Sequence, residues 1–372
     1  MAPIAALFIA AFLVFNVITY RQLIRIHPRR KRFVIPAVVI GNLMWPFFPI
    51  LNARTGFSRA VRATLGPPWF GWTCFAILYA TLIILIWIIW LPFARRQPFA
   101  RFARWPSRIF ISVVIVGGLA GFYEALVPLR VEHVPVAIDG LPSELEGKKI
   151  AVLADLHVGL YTRASRLDQF FATTSALQPD VAILAGDLID DDPYFIPKLL
   201  DSTRSLDPRI PLFGVLGNHE MYGAPFEVVE RLRGSRIRLL VNEGTPLGKL
   251  WIAGISDYAA RLPRLKPDFG AALANMPSGS MPLIVSHQPR SFDESRARRL
   301  PLTICAHTHG GQFGFRPLHW SLAGLFLPYH MGLYERGPSQ LYVNTGTGFW
   351  LLPFRLGMTP EITLIELRRR RP

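Results

Sequence analysis

Asp155-Leu156-His157 sets a carboxylate and an imidazole two residues apart, so both can turn to one cation. Gly186-Asp187 offers a second carboxylate, able to bridge two cations, beside a glycine that allows close approach. Gly217-Asn218-His219-Glu220 adds an amide oxygen and a neighbouring imidazole. His307-Thr308-His309 adds two imidazoles, one for each cation, and His287 stands alone upstream of them. Hard oxygen and borderline nitrogen donors around one shared carboxylate are the needs of a two-metal hydrolase. No thiolate belongs to this set, which disfavours a structural zinc site.

These residues lie where short apolar, β-branched runs stop. Segments 149–155, 180–187, 210–217, 249–255, 282–287 and 301–307 read as buried strands, with 342–345 and 361–367 as two more. Segments 163–177 and 225–233 read as intervening helices. Such alternation predicts a layered α/β domain, whose sites gather beyond the carboxyl ends of the strands. A single Asp at a strand end is ordinarily a turn residue, and a single His a satisfied polar group. Eight at successive strand ends, Asp155, His157, Asp187, Asn218, His219, His287, His307 and His309, exceed independent placement. The only two cysteines, Cys74 and Cys305, fall in apolar runs and read as small buried hydrophobes, so no disulfide framework exists.

The first 130 residues are of another kind. Four apolar blocks, 3–20, 33–52, 69–93 and 107–128, each approach the roughly 20 residues needed to cross a bilayer. The second is interrupted by Pro36, Gly41, Asn42, Pro46 and Pro49, which suits a kinked or re-entrant segment. The first has no positive n-region or small-residue cleavage site, so it reads as an uncleaved helix. Arg21, Arg25, Arg29, Arg30, Lys31 and Arg32 fill the first loop; Arg95, Arg96, Arg101 and Arg104 fill the third; the second holds Arg54, Arg59 and Arg62. The bias puts loops one and three in the cytoplasm and the catalytic domain outside. A net charge of +16 owes much to these loops, and no helix-turn-helix, zinc-finger or RNA-binding signature accompanies it, so nucleic acid is not expected as a partner. The expected organisation is an all-α membrane module, 1–130, followed by a catalytic domain, 131–372, with 129–134 as a short linker.

Asp155-x-His157, Gly186-Asp187-x-x-Asp190, Gly217-Asn218-His219-Glu220, His287 and His307-Thr308-His309-Gly310-Gly311-Gln312, in that order, resemble the calcineurin-like metallophosphoesterase superfamily. Gly332-Leu333-Tyr334-Glu335 and the tail 341–364 resemble its membrane-associated bacterial branch, typified by YkuE and YaeI. The resemblance covers about 150–367. It implies a β-sandwich flanked by helices and two divalent ions, with Mn, Fe, Zn and Co all compatible with the donors. It assigns Asp155, His157 and His309 to one ion, Asn218, His287 and His307 to the other, and Asp187 to both. His219 becomes the proton donor to the leaving group and Asp190 a partner behind the ligands, with His219 as the candidate it supports. A hydroxide shared by the ions would attack phosphorus in line. Ala306 departs from the family's glycine, which matters only if its φ is positive.

The implied protein is a phosphoesterase or phosphodiesterase in a bacterial inner membrane, acting on a phosphorylated, lipid-linked substrate. A UDP-2,3-diacylglucosamine pyrophosphatase is an alternative enzyme, disfavoured by an external domain. A non-catalytic interaction module on the same fold is another, disfavoured because every expected ligand is present. Segment 313–329 is unusually apolar and fits either a loop on the domain's own core or a lipid-facing wall. Arg290, Arg296, Arg298 and Arg299 suit a phosphate clamp or a solvated basic face, and Asp257 ends another strand near the expected cleft.

Overall fold

A computed structural model describes residues 2–44, 47 and 54–370. The chain divides into two compact units, Met1–Leu119 and Ala120–Pro372.

The first unit is helical, with long helices Ala2–Ile26 and Gly56–Trp90 and a shorter one, Lys31–Asn42, that accommodates Pro36. Residues 45–46 and 48–52 of the predicted second span lie outside the described residues. Gly56–Trp90 begins earlier than predicted because Thr55 caps it, its hydroxyl accepting from Ser58 N at 3.1 Å. Arg59 and Arg62, expected in a loop, therefore lie on its first turns. Phe12, Ile26, Trp72, Tyr79 and Ile83 form the unit's core, while Leu85, Ile88, Val113 and Val116 stay exposed. Among the described residues, two runs are long and apolar enough to cross a membrane, Gly56–Phe93 and Arg104–Leu126.

Among the described residues, the second unit holds fourteen strands: β1 Arg130–Ile138, β2 Lys149–Leu153, β3 Val181–Ala185, β4 Leu212–Val215, β5 Arg238–Leu239, β6 Glu243–Leu247, β7 Leu250–Ile255, β8 Met281–Ser286, β9 Leu302–Cys305, β10 Gly314–Phe315, β11 Trp320–Ser321, β12 Gly332–Arg336, β13 Ser339–Val343 and β14 Glu361–Arg369. One six-stranded sheet runs β1-β14-β2-β3-β4-β5, the other β12-β13-β9-β8-β7-β6, and β10 and β11 make a separate hairpin. β2, β3, β4 and β5 are mutually parallel, as are β7, β8, β9 and β13. Strand alternation sorts the apolar residues into layers. Ile150, Val152, Ile183, Ile252, Val285 and Ile304 meet between the sheets. Leu153 and Leu184 face outward against Leu167, Phe170 and Phe171 of helix Ala164–Ala176. On the far side Trp251 and Ile284 pack against Phe269 and Ala272. The domain is thus a mixed-sheet sandwich flanked by helices.

One expectation needs correction. Residues 130–134 are not a linker but the start of β1, which pairs with β14 from Arg130↔Glu361 to Ile138↔Arg369. Its alternating Val and Ile positions supply an inward face, with Val136 and Ile138 buried.

Candidate metal centre

The parallel strands of both sheets end at one place. Asp155 and His157 follow β2, Asp187 follows β3, Asn218 and His219 open the short helix Asn218–Tyr222 after β4, His287 follows β8, and His307 and His309 follow β9. The backbone there is left-handed at Asp155 (φ 50°), His157 (φ 42°), Asp187 (φ 49°), His307 (φ 71°) and His309 (φ 50°). Each such residue costs roughly 1–3 kcal/mol, and Asp and His are among the types that bear it best. The strain turns both ligands of each short motif toward the same cleft. Gly186, at φ 87°, must be glycine on two counts, since a Cβ there would stand 2.5 Å from His287 Nδ1. Ala306 has no positive φ, so its methyl group is tolerated.

The side chains converge. Asp155, His157 and His309 bring donor atoms within 4.8 Å of one another, as do Asp187, His287 and His307. Asp187 also groups with His157 and His219, which suits a shared carboxylate. Asp187 Oδ2 lies 3.1 Å from His287 Nε2 and 3.5 Å from His157 Nε2, while its Oδ1 accepts from His219 N at 2.9 Å. Asn218 Oδ1 lies 3.1 Å from His287 Nε2, and His307 Nδ1 lies 3.3 Å from it.

The outer partners fix which nitrogens face the cleft. His287 Nδ1 donates to the Ala185 carbonyl at 2.9 Å, across the sandwich, so Nε2 is left for the cleft. His157 Nδ1 meets Asp190 Oδ1 at 3.0 Å, with the same result. His309 differs, because its Nδ1 accepts from the fully buried Arg355 at 3.2 Å. Glu220 Oε1 accepts from Ile189 N at 3.0 Å and Oε2 from Gly217 N at 2.7 Å, tying the loop after β3 to the loop after β4.

Do these residues suit divalent cations? Both Asp155 carboxylate oxygens are buried without a hydrogen-bond partner, a costly state for an anion unless a cation meets it. Among the chain's own groups, burial pushes Asp155 up to about 6 despite the neighbouring His287 charge. Burial likewise disfavours charge on His287, yet Asp187 and Asp155 hold its pKa well above the usual value. Asp187 and Asn218 oxygens thus crowd His287 Nε2 and favour positive charge beside it. The donor set therefore fits two cations held by the carboxylates, Asn218 and the imidazoles.

Sequence reasoning missed three neighbours and misplaced one. The carboxylate beside His219 is Asp191, not Asp190: Asp191 Oδ1 stands 2.9 Å from His219 Nδ1, close enough for an ion pair though not aligned as a hydrogen bond. In the run Asp190-Asp191-Asp192 no local signal tells which residue turns inward, and the structure sends Asp190 to His157 instead. Burial lowers the His219 pKa, but Asp191 and Asp187 outweigh it and raise the imidazole to about 9. Tyr222 and Trp350, both largely exposed, flank His219 with ring centroids 5.6 and 6.3 Å away. Arg355 was equally unmarked, a lone arginine in a loop. Arg290 lies over the Tyr258 ring at 4.1 Å and Arg298 pairs with Glu294 at 2.6 Å, which accords with a solvated basic face. Asp257 is buried and accepts from Gln288 Nε2 at 2.8 Å.

Residues 148–311 match the family model for calcineurin-like phosphoesterases. An uncharacterized metallophosphoesterase of Campylobacter jejuni is 31% identical over 276 residues, spanning 71% of this chain and 70% of that protein. The chain belongs to the calcineurin-like phosphoesterase family. That membership makes its second unit a phosphoester hydrolase domain. A Danio rerio transmembrane protein with metallophosphoesterase domain is 30% identical over 278 residues, 70% of this chain and 62% of that protein. The uncharacterized metallophosphoesterase YkuE of Bacillus subtilis is 27% identical over 277 residues, 69% of this chain and 92% of its own length. The chain spans about two thirds, from 61% to 70%, of the length of the Helicobacter, Campylobacter, Danio and Bos relatives.

Proposed function

We propose that this calcineurin-like phosphoesterase is a membrane-anchored, metal-dependent hydrolase of a phosphate ester or phosphodiester close to the bilayer. Its anchor is four spans, about 3–20, 33–52, 69–93 and 107–128, with the catalytic unit on the extracytoplasmic face of a bacterial inner membrane. The observation that carries the catalytic reading is the pair of buried, unpartnered oxygens of Asp155 facing the imidazoles of His157 and His309. Asp155, His157 and His309 would hold one cation, Asn218, His287 and His307 the other, and Asp187 both. When bound, the cations supply Lewis acidity toward the phosphoryl oxygens and a water acidic enough to attack at neutral pH.

The chain's own groups do the rest. Asn218 orients a non-bridging oxygen of the substrate. His219, largely buried beside the exposed Tyr222 and Trp350, gives a proton to the departing alkoxide, and Asp191, at ion-pair distance, favours its protonated form. Asp190, through His157 Nδ1, keeps that ligand's Nε2 turned inward.

The test uses the full chain purified in detergent and stripped with chelator. Bis-p-nitrophenyl phosphate hydrolysis is followed with and without Mn²⁺, beside Asp187→Asn, while bound metal is counted by mass spectrometry. Activity restored by metal and missing from the variant is the expected result. A stripped chain that regains neither metal nor activity ends the proposal. Periplasmic and cytoplasmic reporter fusions at the C-terminus test the topology, and a cytoplasmic signal refutes the external placement.

A further inference from the structure

The hairpin of β10 and β11, with the turn that follows it, presents Leu318 (75% exposed), Leu325 (61%) and Phe326 (80%) to the outside. Large apolar side chains exposed together mark a contact surface rather than an ordinary one. The hairpin is held firmly. Arg316 pairs with the buried Glu361 at 2.5 Å, and Gly314 N donates to Leu356 O at 2.9 Å. A surface fixed in advance loses little freedom on binding.

Two further contacts say what it meets. Leu356 belongs to 354–359, the segment that also grips the last turns of helix Arg104–Leu126. Arg355 N donates to Gly121 O at 3.0 Å, and Glu124 accepts from Gly357 N at 2.7 Å and Thr359 Oγ1 at 2.6 Å. That helix is one of the two runs apolar enough to cross a membrane. The apolar hairpin is therefore bonded to the segment that clasps the end of a candidate span. On its other side, Gln312 Oε1 accepts from Trp350 N at 2.7 Å, and the Trp350 ring lies 6.3 Å from that of His219. Gln312, two residues before the hairpin, thus ties it to the exposed Trp350, whose ring stands beside the group assigned to the leaving oxygen.

We infer that the site opens onto the bilayer and takes a phosphodiester whose departing alcohol carries the apolar chains. This rests on the reading of His219 as proton donor. Water adds at phosphorus and the P–O bond to the lipid alcohol breaks. His219 gives its proton to that oxygen and regains one from the attacking water. The products are a free lipid alcohol, retained in the membrane, and a water-soluble phosphate monoester.

The probe is methyl hexadecyl phosphate in dodecyl maltoside micelles, assayed beside bis-p-nitrophenyl phosphate with Mn²⁺, its products identified by mass spectrometry. The expected products are hexadecanol and methyl phosphate. The double variant Leu318→Ser/Phe326→Ser, changed only at exposed positions, should lower the micellar-to-soluble rate ratio at least tenfold. Methanol and hexadecyl phosphate, or no hydrolysis beside a brisk soluble reaction, overturns the inference while leaving the phosphoesterase reading intact. An unchanged ratio also overturns it, and a shift in mass on size exclusion would then mark a protein interface. Loss of metal-dependent soluble activity in the unmodified chain takes down both readings.

Discussion

Glu361, the first residue of β14, is wholly buried and should be the costliest single charge to neutralise in the catalytic unit away from the metal ligands. Its Oε1 accepts from Tyr342 OH at 2.8 Å, Thr363 Oγ1 at 2.8 Å and Asn344 Nδ2 at 3.3 Å. Its Oε2 accepts from Thr345 Oγ1 at 3.0 Å and Arg316 Nη2 at 2.5 Å. In Glu361→Gln the new amide must point at one of these groups of donors. Hydroxyls can turn to accept, but Asn344 Nδ2 and Arg316 cannot. The variant loses one charge-assisted bond, about 1.5–3 kcal/mol, and strands one donor, about 1–3 kcal/mol, or roughly 4 kcal/mol together. At about 2–4 °C per kcal/mol for a domain of this size, the melting temperature falls by roughly 8–16 °C. Intrinsic-fluorescence melting of the detergent-solubilised chain reads this directly. The sign with pH is fixed too. Burial raises the Glu361 pKa, but Arg316 and the hydroxyl donors bring it below the ordinary carboxyl value. Its contribution is therefore full above about pH 4.3, the unfolded value, and is lost as pH falls through the depressed folded pKa. The gap between wild type and variant should close on acidification. A shift within about 2 °C at neutral pH, or a gap that widens in acid, refutes the account.

His219→Ala should reduce turnover of alkyl phosphodiesters by about 10²–10⁴-fold and that of p-nitrophenyl esters far less, because nitrophenoxide departs without a proton. Equal losses on both remove His219 from the acid role. Asp190→Asn should weaken cation binding by about 10–100-fold in competition dialysis, since its carboxylate meets His157 Nδ1. Unchanged affinity would show that this contact does not orient the ligand. Burial pushes the Cys305 thiol up to about 12, so maleimide should leave it untouched in the native protein and label it on denaturation. Native labelling at pH 7 would mean that the end of β9 opens far more than its packing allows.

The strands carrying the centre were legible because β-branched runs stop abruptly at Asp, Asn and His, and the helix Ala164–Ala176 fell within a residue of expectation at each end. β5, β10 and β11 span two residues each, too short for any alternation to register. β1 escaped notice because Arg130, Glu132 and His133 interrupt its apolar positions, and only pairing with β14 gives it a buried face. Pro36, read as part of a kinked or re-entrant segment, lies inside helix Lys31–Asn42. Buried charges were the least readable. Arg355 and Glu361 look like surface residues in a line of letters, yet the first is satisfied by carbonyls of Thr345 and Met358 and the second is paired with Arg316. The choice between Asp190 and Asp191 is of the same kind, set by the direction of a turn rather than by composition.

β14 lies between β1 and β2, parallel to the first and antiparallel to the second, although more than 200 residues separate it from both partners along the chain. A nascent chain that has just left its candidate span Arg104–Leu126 cannot close this sheet until more than 200 further residues have been made. Until Glu361 arrives, β1 has no neighbour and Arg316 no counter-charge. If the domain crosses the membrane, it does so before this sheet can close. Such a design leaves a ribosome-bound or prematurely released chain without a finished sandwich. Competence to bind metal then arrives late, as β14 slots into the middle of its sheet.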